Sequence, residues 1–328
     1  DPGDPVGGEV WYNSTTGALK SRLVSQAWSS GGPLTTGRNY LAGFGTPTTA
    51  VAVGGYTGSP SALIEEYNGS GWATATVIGT ARYSSAACGT LTAGLVAGGA
   101  PGSPVNTLTE EYDGTNWTAS GALTTGRMEA SAFGIQTAAV MAGGNISGVA
   151  SAKTEEYNGS VWAENPSPSG DLNTARRTLP SGGAGTLTAG IIYGGGPGDK
   201  KDTETYDGST WTAGADLIVG RSGGFSALQG TTTAALTGAG GSSLLSVEGY
   251  DGTAWSTRPA LATAHNYGSG VGTQTTAMCF GGGPGFTTAT EEFSSSTSVI
   301  TAGAWAAGEN MNTARSAMGG ARNGTKTS

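Results

Sequence analysis

Apolar positions along the chain come in short runs and never form long stripes. Segments such as YLAGFG (40–45), YSSAACG (83–89), MEASAFG (128–134) and NYGSGVG (266–272) are each followed by a second run of small residues, as in GTLTAGLVAGG (89–99) and GTQTTAMCFGG (272–282). A third run alternates polar and apolar residues and ends on an aromatic, as in TEEYDGTNWT (109–118). No apolar stripe of period 3.6 lasts three turns, and Gly and Thr crowd every run, which disfavours helix. Short runs punctuated by Gly, Asn and Asp predict strands instead. Within residues 127–162 four are expected: RMEASAFG (127–134), QTAAVMAGG (136–144), AKTEEYNG (152–159) and a segment beginning around Trp162. The N-G and D-G pairs supply the positive-φ positions of a tight turn, which joins the third strand to the fourth.

The pattern recurs along the chain. Trp28, Trp72, Trp117, Trp162, Trp211, Trp255 and Trp305 are separated by 44, 45, 45, 49, 44 and 50 residues. Roughly ten residues after each stands a basic residue: Arg38, Arg82, Arg127, Arg176, Arg221, His265 and Arg315. Paired glycines close the second run at 54–55, 98–99, 143–144, 194–195, 240–241 and 281–282, and the third ends on Tyr67, Tyr112, Tyr157, Tyr206, Tyr250 or Phe293. A four-stranded unit of this size cannot bury its faces alone. Radial stacking buries them, and closing the ring leaves only short edges. A linear solenoid is the rival arrangement, but it would need distinct capping repeats, whereas both chain ends look like fragments of the same unit.

Those ends set the expected blade count. Complete units span 38–72, 82–117, 127–162, 176–211, 221–255 and 265–305. The front fragment, 9–28, looks like a third and a fourth strand; the back fragment, 313–328, looks like a first strand and the start of a second. The expectation is therefore an all-β seven-bladed propeller over residues 1–328 as a single domain, its seventh blade shared between the termini, with strands of 6–28 closing the ring against 313–328. A six-bladed ring with decorated ends is the alternative. The recurrent Trp and Tyr are assigned to the wedges between diverging blades. The repeated Arg, beside Glu66, Glu111 and Glu156, is assigned to a structural charge-assisted hydrogen bond between strands.

Composition narrows the function classes. The 328 residues include 60 Gly and only 12% charged residues, but no three-residue collagen period. Eight Trp, eleven Tyr and six Phe at set places argue against disorder. A net charge of −8 and only 15 Lys and Arg, without a basic cluster, argue against a nucleic-acid partner. No apolar run reaches membrane-spanning length, so no membrane insertion is expected. Cys88 and Cys279 are too few to staple a chain of this size and read as small buried residues.

The order of paired glycine, Tyr and Trp (Gly98–Gly99, Tyr112 and Trp117, with counterparts in every complete unit) resembles the kelch family of β-propellers. The resemblance covers Trp28 to Arg315 and implies the fold more than any function, because propellers serve enzymes, adaptors and lectins alike. The Thr/Ala/Gly-rich version seen here is similar to repeats of bacteriophage tail-fibre and other virion structural proteins. GEVWYNSTTGALK (8–20) resembles a short strand module of the same proteins.

Candidate chemistry is sparse. Galactose-oxidase-like kelch enzymes resemble one another in a copper site of two His and two Tyr, but this chain has one His, His265, at a position filled by Arg in the other units. A zinc site of His and Cys fails on the same count. The pairs Glu65–Glu66, Glu110–Glu111, Glu155–Glu156 and Glu291–Glu292 are adjacent in strands and so face opposite ways, unlike an acid–base couple. DPGDP (1–5) and PGDKKD (197–202) lack calcium-loop spacing, and GGGPG (194–198, 281–285) reads as a turn between strands. No catalytic residue, metal or cofactor is expected, and the chain is read as a non-enzyme.

Recognition is expected where the repeats differ. The loops between second and third strands vary: YTGSPSAL (56–63), APGSPVNTL (100–108), NISGVASAK (145–153), PGDKKDT (197–203), SSLLS (242–246) and PGFTTAT (284–290). Such loops gather on one face of a ring, and Tyr56, Lys200 and Phe286 are best suited there to meet a sugar or a protein surface. The resulting expectation is a structural or adhesive component of a phage particle, on a tail fibre or at the capsid surface. Its partners would be other virion proteins and a host-surface glycan or protein. A secreted lectin-like or protein-binding kelch module is the alternative, with a glycan-acting enzyme behind it.

Overall fold

Among the described residues the predicted runs become strands, because small residues pack on both faces while Gly and Asn or Asp break the chain between them. The computed structural model describes residues 9–101, 105–165, 170–179 and 182–301. The strands pair antiparallel in chain order into six blades, and no helix occurs among the described residues. Blade 1 comprises Ala42–Thr46, Thr49–Val53, Ile64–Tyr67 and Trp72–Thr74, and blade 2 comprises Ala86–Thr90, Ala93–Ala97, Thr109–Tyr112 and Trp117–Ser120. Blade 3 holds Ser131–Ile135, Ala138–Ala142, Thr154–Tyr157 and Trp162–Glu164; blade 4 holds Ala184–Thr186, Ala189–Tyr193, Thr203–Tyr206 and Trp211–Ala213. Blade 5 is Phe225–Ser226, Ala235–Gly238, Val247–Tyr250 and Trp255–Arg258. The turns between third and fourth strands hold four residues, and the Asn or Asp opening each one accepts backbone N–H bonds from its end, as Asp113 does from Thr115 and Asn116 (2.8 and 2.7 Å).

Blade 6 decides the count. Its first three strands are Ser269–Gly272, Thr276–Phe280 and Thr290–Thr301, and its fourth is the N-terminal strand Ala18–Ser30. Trp28 lies against Phe293 (centroids 5.1 Å apart) and meets Phe225 of blade 5 edge-on at 5.7 Å. Trp72, Trp117, Trp211 and Trp255 make the same pair of contacts: Trp255 packs on Tyr250 and on Tyr193 of the preceding blade, and Trp211 on Tyr206 and Phe133. The ring is therefore six-bladed, the alternative count. The segment assigned to a shared seventh blade instead completes the sixth, taking the place expected of Trp305. Trp305, Arg315 and the segment 313–328 lie outside the described residues.

Residues 25–296 form the ring; the described residues 9–24 and 297–301 belong to a second unit. Within the latter, Val10–Asn13 pairs with Ala18–Ser21 as a hairpin whose turn is held by Asn13 Oδ1, which accepts from Thr16 N at 2.7 Å.

The core is divided among six seams, one between each pair of neighbouring blades, blade 6 against blade 1 included. Trp72, Trp162, Trp211 and Trp255 are buried, and each donates its indole N–H to a Thr hydroxyl on the third strand of the preceding blade: Thr290, Thr109, Thr154 and Thr203, at 2.9–3.0 Å. Trp117 and Trp28 are only partly buried, a departure from uniform burial with a local cause. In the preceding blades the Thr position is Ile64 and Val247, which cannot accept, and the indoles turn to backbone carbonyls of Thr76 and Pro259. Where blades converge, side chains must vanish: a Cβ on Gly94 would sit 2.3 Å from the Phe44 ring of blade 1.

Each blade is also built around one buried ion pair. In blade 3, Arg127 Nη2 lies 2.6 Å from Glu155 Oε1, and Arg127 Nη1 donates to the carbonyls of Gly143 and Lys153 at 3.1 and 2.9 Å. Glu155 in turn accepts the backbone N–H groups of Thr124 and Thr125 (2.7 and 3.3 Å), which fixes the loop arriving from blade 2. Arg38–Glu65, Arg82–Glu110, Arg176–Glu204 and Arg221–Glu248 repeat the pairing, all five arginines being no more than 1% exposed. Burial pulls each guanidinium below its ordinary pKa, and the facing carboxylate pushes back.

The charge-assisted bond is thus present, but its carboxylate is one residue earlier than expected. Glu66, Glu111 and Glu156 point to the opposite face of the strand, where they accept hydrogen bonds from Tyr112, Tyr157 and Tyr206 of the next blade. In blade 6, His265 replaces Arg and keeps the frame, with Nδ1 2.7 Å from Gly281 O and Nε2 3.3 Å from Glu291 Oε1.

Three outcomes follow for stability. Trp162→Ala should cost about 3–5 kcal/mol in urea unfolding, as large aromatic truncations in cores do, and Trp117→Ala clearly less because its indole is partly exposed. Arg127→Met should cost about 3–5 kcal/mol, since it leaves the buried Glu155 charge without its counter-charge. For His265, burial opposes the charge, but Cys279, Glu291 and the Gly281 carbonyl outweigh it and raise its pKa from 6.5 to about 10. A raised folded-state pKa means its stabilisation is complete below pH 6.5 and lost as pH rises through about 10. The stability gap between the parent and His265→Gln, measured by urea unfolding between pH 6 and 11, should therefore narrow toward the alkaline end.

Candidate functional site

The buried arginine determines what lies at the axis. Its backbone carbonyl accepts the N–H of the second glycine in the preceding blade (Gly55 to Arg82 at 2.9 Å, Gly99 to Arg127 at 2.8 Å, Gly144 to Arg176 at 2.8 Å). Two residues further on, the chain turns into the first strand through the left-handed backbone region. Tyr40, Ser84, Glu129, Thr178, Gly223 and Tyr267 occupy this position, with φ between 50° and 61°. Their backbones bond to each other around the axis: Ser84 N to Tyr40 O (2.8 Å), Glu129 N to Ser84 O (2.9 Å), Gly223 N to Thr178 O (2.8 Å), Tyr267 N to Gly223 O (2.6 Å) and Tyr40 N to Tyr267 O (2.7 Å). Between blades 3 and 4 the acceptor is again Glu129 O, and the donor is Leu179 N at 3.3 Å.

This girdle surrounds a pocket of ≈ 40 Å³ to which all six blades contribute. Tyr40 and Tyr267 stack beside it with centroids 4.2 Å apart and planes at 21°. Glu129 and Thr178 join across a seam, Thr178 Oγ1 donating to Glu129 Oε2 at 3.0 Å. Ser84 and Ser85 also line the pocket; both are 8% exposed, and neither hydroxyl has a hydrogen-bond partner. Beside the two tyrosines, the buried Oδ1 atoms of Asn39 and Asn266 likewise lack a donor. Burial, Tyr267 and the Glu129 charge all raise the Tyr40 pKa, so its hydroxyl stays protonated.

From the axis an aromatic row runs outward. Tyr40 meets Tyr83 at 6.0 Å, Tyr83 meets Tyr56 at 5.5 Å, and Tyr56 meets Phe286 at 6.2 Å. Phe286, in the loop between second and third strands of blade 6, is 46% exposed, and its carbonyl lies against Gly37 of blade 1. Two of the three expected binding residues, Tyr56 and Phe286, are thus in one row. Lys200 belongs to blade 4, on the opposite side of the ring, where its backbone braces the Arg221 loop (Arg221 N to Lys200 O, 3.0 Å). The axial residues were not singled out from the sequence, although a signal exists. Two residues after each recurrent Arg or His the residue type changes from repeat to repeat, Tyr alone occurring twice (Tyr40 and Tyr267) among the described units.

The other end of the ring holds a cavity of ≈ 310 Å³ lined by the turns between first and second strands, among them Thr90, Thr186, Gln229 and Thr231. No charged residue lines it. Among the described residues His265, Cys279 and Glu291 form a grouping that looks like a nucleophile set, yet none is more than 3% exposed, so a substrate cannot reach it. Among the described residues no cluster of three or more His, Cys, Asp or Glu could hold a metal ion, and no helix is long and apolar enough to cross a membrane. No protein-family model matches the chain, and no curated protein matches it.

Proposed function

We propose that the chain is a non-enzymatic structural and adhesive β-propeller of a bacteriophage particle, on a tail fibre or at the capsid surface, turning its axial face to a host-surface glycan or protein. One observation carries this: positions that hold blades together repeat around the ring, whereas the axial positions carry Tyr40, Ser84, Glu129, Thr178, Gly223 and Tyr267 in the same backbone conformation. A scaffold with one unrepeated face is built for display. The charged side chains of the blade interiors support a role without turnover, since Arg127, Glu155 and their counterparts are engaged by backbone groups within the blade. The particle setting draws its support from the Thr/Ala/Gly-rich repeats and the GEVWYNSTTGALK hairpin, both similar to virion proteins. A net charge of −8 suits an exposed outer part better than one facing nucleic acid.

Antibody raised against the ring and conjugated to gold should decorate purified particles at a fixed location, and the isolated protein should adhere to the host cell. Particles that carry none of this chain, by labelling and by mass spectrometry, would remove the assignment.

A further inference from the structure

Resting on that axial face as the recognition surface, we propose that its ligand is an oligosaccharide lying along the aromatic row, with one substituent inserted among Ser84, Ser85 and Glu129. The row Phe286, Tyr56, Tyr83, Tyr40, Tyr267, with successive centroids 6.2, 5.5, 6.0 and 4.2 Å apart, gives a path of rings from rim to axis. Sugar rings present apolar C–H faces to such rings and hydroxyls at their edges, so they match an aromatic path flanked by polar atoms. The pocket at its inner end, ≈ 40 Å³, is too small for a sugar ring but has room for a single polar substituent.

The polar atoms there are unsatisfied in a way that selects the ligand. The Ser84 and Ser85 hydroxyls are buried without partners, and a buried hydroxyl can both donate and accept. Glu129 is the only carboxylate lining the pocket, and one of its oxygens already takes the Thr178 hydroxyl. A sugar hydroxyl donates to the carboxylate and accepts from a serine at the same time. A lysine or arginine of a partner protein can only donate, and it would need no row of rings reaching the rim. The backbone agrees. The left-handed conformation favours Gly or Asn, yet Tyr40, Glu129, Thr178 and Tyr267 adopt it, which sets their side chains around the pocket at the expense of backbone ease.

Native gels cast with soluble polysaccharides (dextran, mannan, galactomannan and bacterial O-antigen chains) test this with the isolated protein. At least one polysaccharide should retard the parent. Tyr83→Ala and Glu129→Gln should each weaken retardation about tenfold, the scale of one lost stacking or hydrogen-bonding partner. Ser85→Ala should weaken it several-fold while leaving the melting temperature unchanged or raised, because it deletes a hydroxyl that has no partner in the free protein. Ile135→Ser, at an exposed turn on the opposite face, should match the parent. Absence of retardation by every polysaccharide, or full retardation of Tyr83→Ala, overturns the proposal. So does Glu129-dependent binding of a hexalysine peptide without polysaccharide binding, which would make the pocket a cation site. Because the assay does not involve particles, a particle-borne protein that ignores all polysaccharides would end this proposal and leave the display role standing.

Discussion

The fold depends on a buried arginine facing a buried glutamate, repeated in five blades and mimicked by histidine in the sixth. An ion pair removed from water is seldom worth more than a well-packed apolar pair, so its charge alone does not account for its recurrence. What it holds does. Glu155 ties down two N–H groups of the incoming loop, and Arg127 covers the carbonyls of Gly143 and Lys153. Apolar replacements of both would leave the Thr124 and Thr125 N–H groups and the Gly143 carbonyl without these partners, at about 1–3 kcal/mol for each group left unsatisfied. The pair acts as a clasp that ties the incoming loop to the ends of the second and third strands. It also sets the axis, because the arginine's own carbonyl is bonded to the glycine pair of the neighbouring blade and the next residues must turn sharply into the innermost strand.

Much of this was legible in the sequence because each rule is written several times. Four strands per unit, the radial stacking and the burial of Trp72, Trp162, Trp211 and Trp255 follow from period and composition. Other features were not legible, for physical reasons. Strand pairing between chain ends is a tertiary choice, and the spacing of Trp28 and Trp305 from their neighbours is equally compatible with either serving as the last strand of blade 6. Which of two adjacent glutamates meets the arginine depends on register, and a one-residue error in a strand turns the side chain to the other face. Glu65 and Glu66 illustrate this, one bound to Arg38 within the blade and the other to Tyr112 of the next. The axial pocket was hidden for a different reason. A repeat is recognised by what recurs, and Tyr40, Ser84, Glu129, Thr178, Gly223 and Tyr267 share a backbone conformation but, the two tyrosines apart, no side-chain chemistry.

The same logic explains why the loop residues offered only part of the surface. Tyr56 and Phe286 stand out as aromatics in loops of Gly, Ser, Thr and Pro. Tyr83 and Tyr40 sit just after an arginine in what looks like the approach to a strand, so nothing local marks them as surface residues. The girdle of backbone bonds brings them beside Tyr56 and Tyr267. A surface assembled from the starts of first strands is held rigidly by the ring itself, and the variable loops extend it outward.

The seams also show that neighbouring positions change together. Where the carboxylate before the aromatic is present, the next blade carries a tyrosine to use it: Glu66 with Tyr112, Glu111 with Tyr157, Glu156 with Tyr206 and Glu292 with Tyr67. In blade 4 the position is Thr205, and Tyr250 bonds to Gly252 O of its own turn; in blade 5 it is Gly249, and the next aromatic is Phe293, which has no hydroxyl. The seam between blades 5 and 6 thus lacks the tyrosine bond, and Val247 deprives Trp28 of a hydroxyl acceptor as well. Two glutamines link this seam, Gln274 donating to Tyr250 O at 2.6 Å and Gln229 accepting from Gly272 N, and Gln136 makes the same kind of bond to Tyr112 O (3.1 Å) at a seam that keeps its tyrosine. Donor and acceptor are absent together, and other polar links join the two blades. Such matched changes are what a closed ring requires, because a blade altered on one side must still be satisfied by the neighbour it cannot move away from.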